Sequence, residues 1–419
     1  MGRTLVRAHT NGFDTEADLV VKYHRAADPS TDQRLRAAME ATNLYSRQTA
    51  QVLQTLAFTG ALAAMLIIGG CGGNPSTGAG NSSNQPPPPR KAGAAPVAGS
   101  ATGAGTAPRT LSNITPAAAS RLHANELGRV LVMEYHNITT KQKGQFFQSP
   151  EQLRNDLNRL YESGYRTIDI HDYINGNITT PAGFSPVVIT FDDASPGQFR
   201  YITVNGAKKI DPDCAVGILE AFGKSHPGFG NHANFFVLPE GFSQPADKAE
   251  KYHYLVTHGF SIGNHTWHHN IMTHMSPATI QTELGYDDVD IHKILPDYTV
   301  NVLAYPYGSR PTVNGKKDYT YIANGTWKGD HYHIKAAFLV GAEPAPSPFS
   351  TKYKPYALPR VQAVEATGPD LWTHWLEYLK AHKLERFVSD GDPDAVSIPA
   401  RLAPYLNPAA VGNRKVVKY

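Results

Sequence analysis

The chain of 419 residues has little with which to staple or charge a fold. It holds two cysteines, Cys71 and Cys214, so an intramolecular disulfide framework is excluded unless those two pair with each other. The formal net charge is only +3 and no basic run interleaved with aromatics occurs, which removes nucleic acid from the expected partners. Large apolar side chains are nearly absent from residues 72 to 125, where Gly, Ala, Pro, Ser, Thr and Asn dominate around a proline run at 86–89. Such a stretch cannot offset the entropy of ordering its backbone, and the composition predicts a flexible, disordered tether.

Ahead of the tether stands an uncharged apolar run, Leu56 to Gly70, preceded by Arg47 and followed at once by Cys71. It is short for a spanning helix and has the form of a signal-peptide core. Ile68-Gly69-Gly70-Cys71 resembles the lipobox of bacterial lipoproteins, which implies acylation of Cys71. The other reading is an uncleaved membrane anchor with an incidental cysteine. Either way the C-terminal part is expected to be exported to the cell envelope, on a periplasmic or extracellular face, with the membrane as a partner through the anchor. Residues 39–71 form the signal segment, beginning at Met39. Residues 1–38 read as an over-extended reading frame or a cytosolic extension, with no function assigned.

Residues 126–419 read as one globular unit in which short β-branched runs alternate with segments of helical period. Strands are predicted at 130–133, 167–170, 187–191, 234–237, 260–262, 302–305 and 336–340, and helices at 150–163, 215–222, 247–257, 277–294 and 371–381. Ser149-Pro150-Glu151-Gln152 has the form of a capping box with proline at the first helical position. The alternation indicates an α/β fold on a parallel sheet, open or closed into a barrel, with its chemistry at the strands' C-terminal ends.

Polar residues gather at three of those ends. Asp192 and Asp193 follow the apolar run Val187 to Phe191, where a strand must stop if adjacent side chains are to serve one site. His265 and His269 follow Phe260 to Ile262, spaced so that one helical turn would bring both imidazoles to one side. Two histidines and a carboxylate are the usual ligand types of catalytic zinc. Ala304-Tyr305-Pro306-Tyr307-Gly308 ends a third strand in a tight turn. Each motif alone has a plain structural reading, as a turn, a chance histidine pair or a β-turn. Three strand ends together do not.

In this order TFDD, H-T-x-x-H and YPYG resemble the polysaccharide deacetylase family, the NodB homology domain of carbohydrate esterase family 4, across residues 126–400. The resemblance implies a distorted (β/α) barrel that hydrolyses acetamido groups on a polysaccharide with a divalent cation, zinc preferred. It implies Asp192 as base, Asp193, His265 and His269 as metal ligands, and the Tyr307 amide as an oxyanion donor. The chain departs from the family pattern in three places: Ala304 stands where R-x-P-Y has its Arg, and neither D-x-x-D-W nor the L-x-H that carries the acid occurs. Poly-N-acetylglucosamine deacetylases carry Tyr-His at the end of their first strand. Glu134-Tyr135-His136 matches that position, which assigns the acid to His136. Arg360, in Leu358-Pro359-Arg360, is a candidate for the missing positive charge beside Asp192. An acetylated polysaccharide is the expected substrate. The alternatives are an O-acetyl polysaccharide esterase and a glycan-binding lipoprotein that keeps the metal site without turnover. Trp267 and Tyr305 are candidates for stacking on sugar rings, with core packing as the other reading.

Overall fold

The computed structural model describes residues 114–142, 144–364 and 371–419. Residues 1–38, the signal segment 39–71 with Cys71, and the tether up to residue 113 lie outside the described residues.

Eight strands form one sheet: β1 (Leu131–Tyr135), β2 (Tyr165–Thr167), β3 (Ser185–Phe191), β4 (Asn234–Val237), β5 (Ser261–Asn264), β6 (Val302–Ala304), β7 (Ala336–Phe338) and β8 (Val361–Gln362). All pairs are parallel, in the order β7-β6-β5-β4-β3-β1-β8, with β2 alongside the first half of β3. Leu358, just before β8, bridges Phe338 at the end of β7. Its carbonyl accepts Leu339 N–H at 2.8 Å and its N–H donates to Ala337 O at 3.1 Å. The two edges therefore meet, and the sheet closes into a distorted (β/α) barrel, as the family resemblance implies and as one of the two forms that the alternation of elements left open.

Among the described residues the helices longer than one turn are α1 (Pro116–Leu122), α2 (Pro150–Glu162), α3 (Ile170–Asn175), α4 (Ala215–Ser225), α5 (Lys248–Thr257), α6 (Pro277–Ile294) and α7 (Trp372–Ala381). α2 opens on the predicted capping box: Ser149 Oγ accepts Gln152 N–H, and the Gln152 side chain accepts Ser149 N–H. Leu153, Leu157 and Leu160 are its buried stripe. Two expectations shift. The strand predicted at 167–170 lies at Tyr165–Thr167, because Asp169 accepts His171 N–H at 2.7 Å and starts α3 instead. The helix predicted at 215–222 runs on past Gly223 to Ser225 as α4.

The alternation of side chains decides what reaches the site. Along β1, Leu131, Met133 and Tyr135 pack into the cluster beneath α2 and α4, while Val130 and Val132 join the opposite cluster with Val188, Phe236, Val302, Phe338 and Leu358. The same period of two puts Glu134 and His136 on the side of Val132, and Thr190 and Asp192 on the side of Val188. On the closing segment Val361 faces the helices, and Arg360 takes the inner face with Leu358.

The tether boundary moves. Residues 114–125, assigned to the tether on composition, are part of the folded body. Thr115 caps α1 by accepting Ala118 N–H, and Ala119 and Ala124 are buried against Ala395 and Val417 of the parallel strand pair Ala395–Ile398 and Lys415–Lys418. Small side chains that read as linker are here the ones that fit between a helix and two strands.

α5 presents Lys251, Tyr252 and Leu255 to the core. Lys251 is 0 % exposed, its Nζ has no hydrogen-bond partner, and it lies 5.5 to 5.9 Å from the rings of Phe199, Tyr201 and Phe242. Burial pulls its ammonium down to about 8, and the aromatic faces only partly replace lost hydration. A base whose folded pKa is depressed destabilises the fold below that value, and the penalty fades as pH rises towards the unfolded value near 10.5. Lys251→Met is therefore expected to stabilise the protein at pH 7 by about 1–3 kcal/mol, with the difference shrinking at pH 10. Thermal unfolding at both pH values checks this; equal melting temperatures at pH 7 would refute it.

Candidate active site

Strand β3 stops at Phe191, and the next residues leave the strand region: Asp193 has φ 78° and Ala194 φ 46°. Asp192 still follows the strand's alternation, and the left-handed turn at Asp193 brings the second carboxyl round to the same mouth. The chain after β5 also turns instead of coiling. Residues 265–269 are not helical, and Thr266 (φ 66°) and His269 (φ 53°) fold the loop so that both imidazoles face Asp193. The histidines converge as their spacing suggests, but by two left-handed residues rather than by a helical turn.

Asp193 Oδ1 lies 3.3 Å from His265 Nε2 and 3.4 Å from His269 Nε2. Both Asp193 Oδ1 and His265 Nε2 are buried without a hydrogen-bond partner. His265 Nδ1 sits 2.9 Å from the Ala304 carbonyl, which can only accept, so Nδ1 carries a hydrogen and Nε2 is the ring atom that can offer a lone pair to the site. Burial and the neighbouring His265 lower His269 to about 4, so the His269 ring is neutral at ordinary pH. Two imidazole nitrogens and one carboxylate oxygen, all within 4.8 Å of one another, fit a divalent cation.

The ligand loop is pinned from α6. Asp287 Oδ2 accepts His265 N–H at 3.2 Å, and Glu283 accepts both His268 N–H (2.9 Å) and His268 Nδ1–H (2.8 Å), which turns that third histidine away from the centre. Neither carboxylate carries a motif signal; their role follows only from the packing of α6 on the loop.

Arg360 lies against Asp192 in a two-pronged pair, with Nη1 2.7 Å from Oδ1 and Nη2 2.6 Å from Oδ2. Two more of its donors go to Leu339 O (2.8 Å) and Thr190 Oγ1 (3.1 Å). Burial alone would raise the Asp192 carboxyl, but the guanidinium and its hydrogen bonds outweigh burial and hold it well below the usual carboxylate range. His136 extends from the end of β1 on the same inner face, largely covered by the Phe146 ring at 4.6 Å. Gln198, fully buried, donates through Nε2 to the carbonyls of both His136 and Asp192 and so ties the ends of β1 and β3 together. The segment before it passes so close that a Cβ on Gly197 would sit 1.9 Å from Ile138 O. Nothing in the sequence marks Gln198.

Tyr307 occupies the turn Pro306–Gly308 with φ 57°; its ring is 65 % exposed and 4.7 Å from the His269 ring. The stacking candidates divide differently. Tyr305 is fully buried, donates to Tyr356 O at 3.1 Å, and so offers no face to a sugar. Trp267 lies 4.0 Å from Tyr286, which itself packs on Trp327.

Residues 180–321 match the family model described as polysaccharide deacetylase. The chain carries a polysaccharide deacetylase domain. The deacetylase match contains Asp192, Asp193, His265, His269 and Tyr307, whereas Glu134, His136 and Arg360 lie on flanking strands outside it. Members of this class are hydrolases of non-peptide carbon–nitrogen bonds. Among solved structures, the Streptococcus pyogenes deacetylase PplD is similar at 17% identity over 59% of this chain and 97% of that one, with a TM-score of 0.44. BC0361, a polysaccharide deacetylase from Bacillus cereus, is similar at 16% identity over 59% of this chain and 69% of that one, with a TM-score of 0.44. IcaB from Ammonifex degensii is similar at 15% identity over 60% of this chain and 97% of that one, with a TM-score of 0.41. No curated protein matches the chain.

Support from α6 makes a prediction for the deacetylase centre. Asp287→Ala frees the His265 amide and is expected to weaken divalent-cation affinity by about 10- to 100-fold. Calorimetric titration with zinc reads this directly, and an unchanged affinity would show that α6 does not hold the ligand loop.

Proposed function

We propose that the protein is a metal-dependent hydrolase that removes N-acetyl groups from a cell-envelope or extracellular polysaccharide, exported by the segment 39–71 and held to a membrane through Cys71. The observation that carries the catalytic half of this reading is the buried Arg360–Asp192 pair beside the Asp193, His265 and His269 trio. A carboxylate held ionised next to a cation-binding set is what activation of water at an amide carbonyl requires.

Asp193, His265 and His269 would hold the cation, zinc by their donor types, which when bound polarises an acetyl carbonyl and makes water more acidic. Asp192 is ionised at neutral pH because of Arg360 and is placed to take a proton from the attacking water. The backbone amide of Tyr307, in the left-handed turn at the mouth, is assigned to the carbonyl oxygen as it gains charge. His136, on the facing strand end, is assigned as donor to the departing nitrogen. The acetyl carbon gains the water oxygen, the C–N bond breaks with its electron pair on nitrogen, and acetate and a free amine result.

Acetate release from a panel of N-acetylated and O-acetylated glycans, with and without chelator, tests the reading. N-acetyl substrates are expected to be turned over and chelator to abolish turnover. Asp192→Asn is expected to lower kcat by about 10²- to 10⁴-fold. Release from O-acetyl substrates alone would select the esterase. Binding of glycan without release would select the non-catalytic lipoprotein, and release that survives chelator would refute the metal mechanism.

A further inference from the structure

The deacetylase reading uses Asp192, His136 and the cation ligands, and leaves one buried ionisable group beside them without a task. Glu134 lies on β1 two residues before His136, so the strand's alternation sends both side chains to the inner face. Its side chain is fully buried. Oε2 accepts Gly341 N–H at 2.7 Å and lies 3.6 Å from Arg360 Nε. Oε1 has no hydrogen-bond partner, and the His136 Nε2 atom stands 4.0 Å away. A carboxylate oxygen buried without a donor is costly, on the order of 1–3 kcal/mol or more, and rarely survives without a use.

Two donors could satisfy that oxygen. Ligand atoms of Glu134, His136 and Asp192 all lie within 4.8 Å of one another, which would admit a second cation. The Arg360 guanidinium argues against it, because it already bonds both oxygens of Asp192 and puts a fixed positive charge among the three groups. The remaining donor is the imidazole.

We propose that Glu134 is a positioning residue that accepts a hydrogen bond from His136 Nε2 and so aims the other ring nitrogen, Nδ1, at the departing nitrogen of the substrate. In this arrangement Arg360 is shared: two prongs hold the base Asp192, and its Nε side faces the carboxylate that orients the acid. When the C–N bond breaks, the Nδ1 proton passes to the amine nitrogen. His136 is left as a neutral imidazole whose Nε2–H stays on Glu134. The Phe146 ring on the open side of His136 limits rotation away from that contact. This inference rests on the deacetylase reading.

The test separates leaving groups. An amine must be protonated to depart, whereas p-nitrophenolate leaves unaided, so loss of acid positioning slows one and spares the other. In the full-length protein, Glu134→Gln is expected to lower kcat on an N-acetylglucosamine oligomer at least about tenfold with KM within about twofold. Hydrolysis of p-nitrophenyl acetate and zinc affinity are expected to stay within about twofold of wild type. Glu134→Asp keeps the charge beside Arg360 but shortens the arm, and is expected to show the same selective loss in smaller degree. His136→Asn should show the selective loss too, and the double variant with Glu134→Gln should add nothing to it. Equal losses on amide and ester would mark Glu134 as structural and overturn the proposal. Unchanged amide turnover in a folded Glu134→Gln or Glu134→Asp protein would also overturn it. A wild type that releases acetate from no acetylated glycan refutes the deacetylase reading and this inference with it. A wild type that does, with amide turnover indifferent to Glu134, refutes only the inference.

Discussion

The buried guanidinium of Arg360 is the constraint around which the catalytic end of this barrel is arranged. Removing an arginine from water costs several kcal/mol even after relaxation, and an arrangement that leaves it partly unpaired is not stable. Here its donors are engaged by Asp192, Thr190 and Leu339 O, with Glu134 as a second carboxylate within 3.6 Å. Those partners come from β1, β3 and the end of β7, and Arg360 itself from the segment that closes the barrel. Pairing of Val361 with Met133 on β1 and the bridge of Leu358 to Phe338 hold the segment on both sides of Arg360, and so set its charge against the Asp192 carboxylate.

A second layer of order is local. Backbone in the left-handed region costs a residue other than glycine about 1–3 kcal/mol, and such residues persist only where surroundings over-determine them. In this protein Asp193, Thr266, His269 and Tyr307 all adopt it, and all four sit where strands β3, β5 and β6 run out. Each breaks the alternation of a strand so that a group which would face away is returned to the mouth. Gln198, Asp287 and Glu283 hold these turns from behind through bonds to main-chain atoms. The strands supply direction, and the strained turns supply convergence.

Much of this was legible before the structure. The strand after which two carboxylates follow, the loop with two histidines and the Pro-Tyr-Gly turn are contiguous in sequence, and contiguous apolar runs mark strands. The capping box of α2 was readable because its two hydrogen bonds join residues three apart. What escaped were features made by distant segments. β8 is two residues long and has no pattern of its own, so Arg360 was a candidate in the sequence without a strand beside it to place it. The hairpins at 201–210 and 324–333 were missed, although Asn205-Gly206 between Tyr201–Val204 and Ala207–Ile210 is a readable turn signal. Residues 114–125 looked like tether because alanine is counted as small rather than as fitting. Tyr305 looked available to a sugar until the fold buried it.

Sequence by itself determined the kinds of groups at three strand ends, and with them the candidate cation site of Asp193, His265 and His269, because each motif is local and each strand end points the same way in a parallel sheet. Sequence offered Arg360 as a candidate beside Asp192, but only the tertiary structure decided that pairing and brought Glu134 to it. Arg360 is 168 residues away along the chain and Glu134 nearly sixty. Which cation neutralises a buried carboxylate, and which carboxylate stands behind His136, depends on barrel closure and strand register, and those are set by packing across the whole sheet.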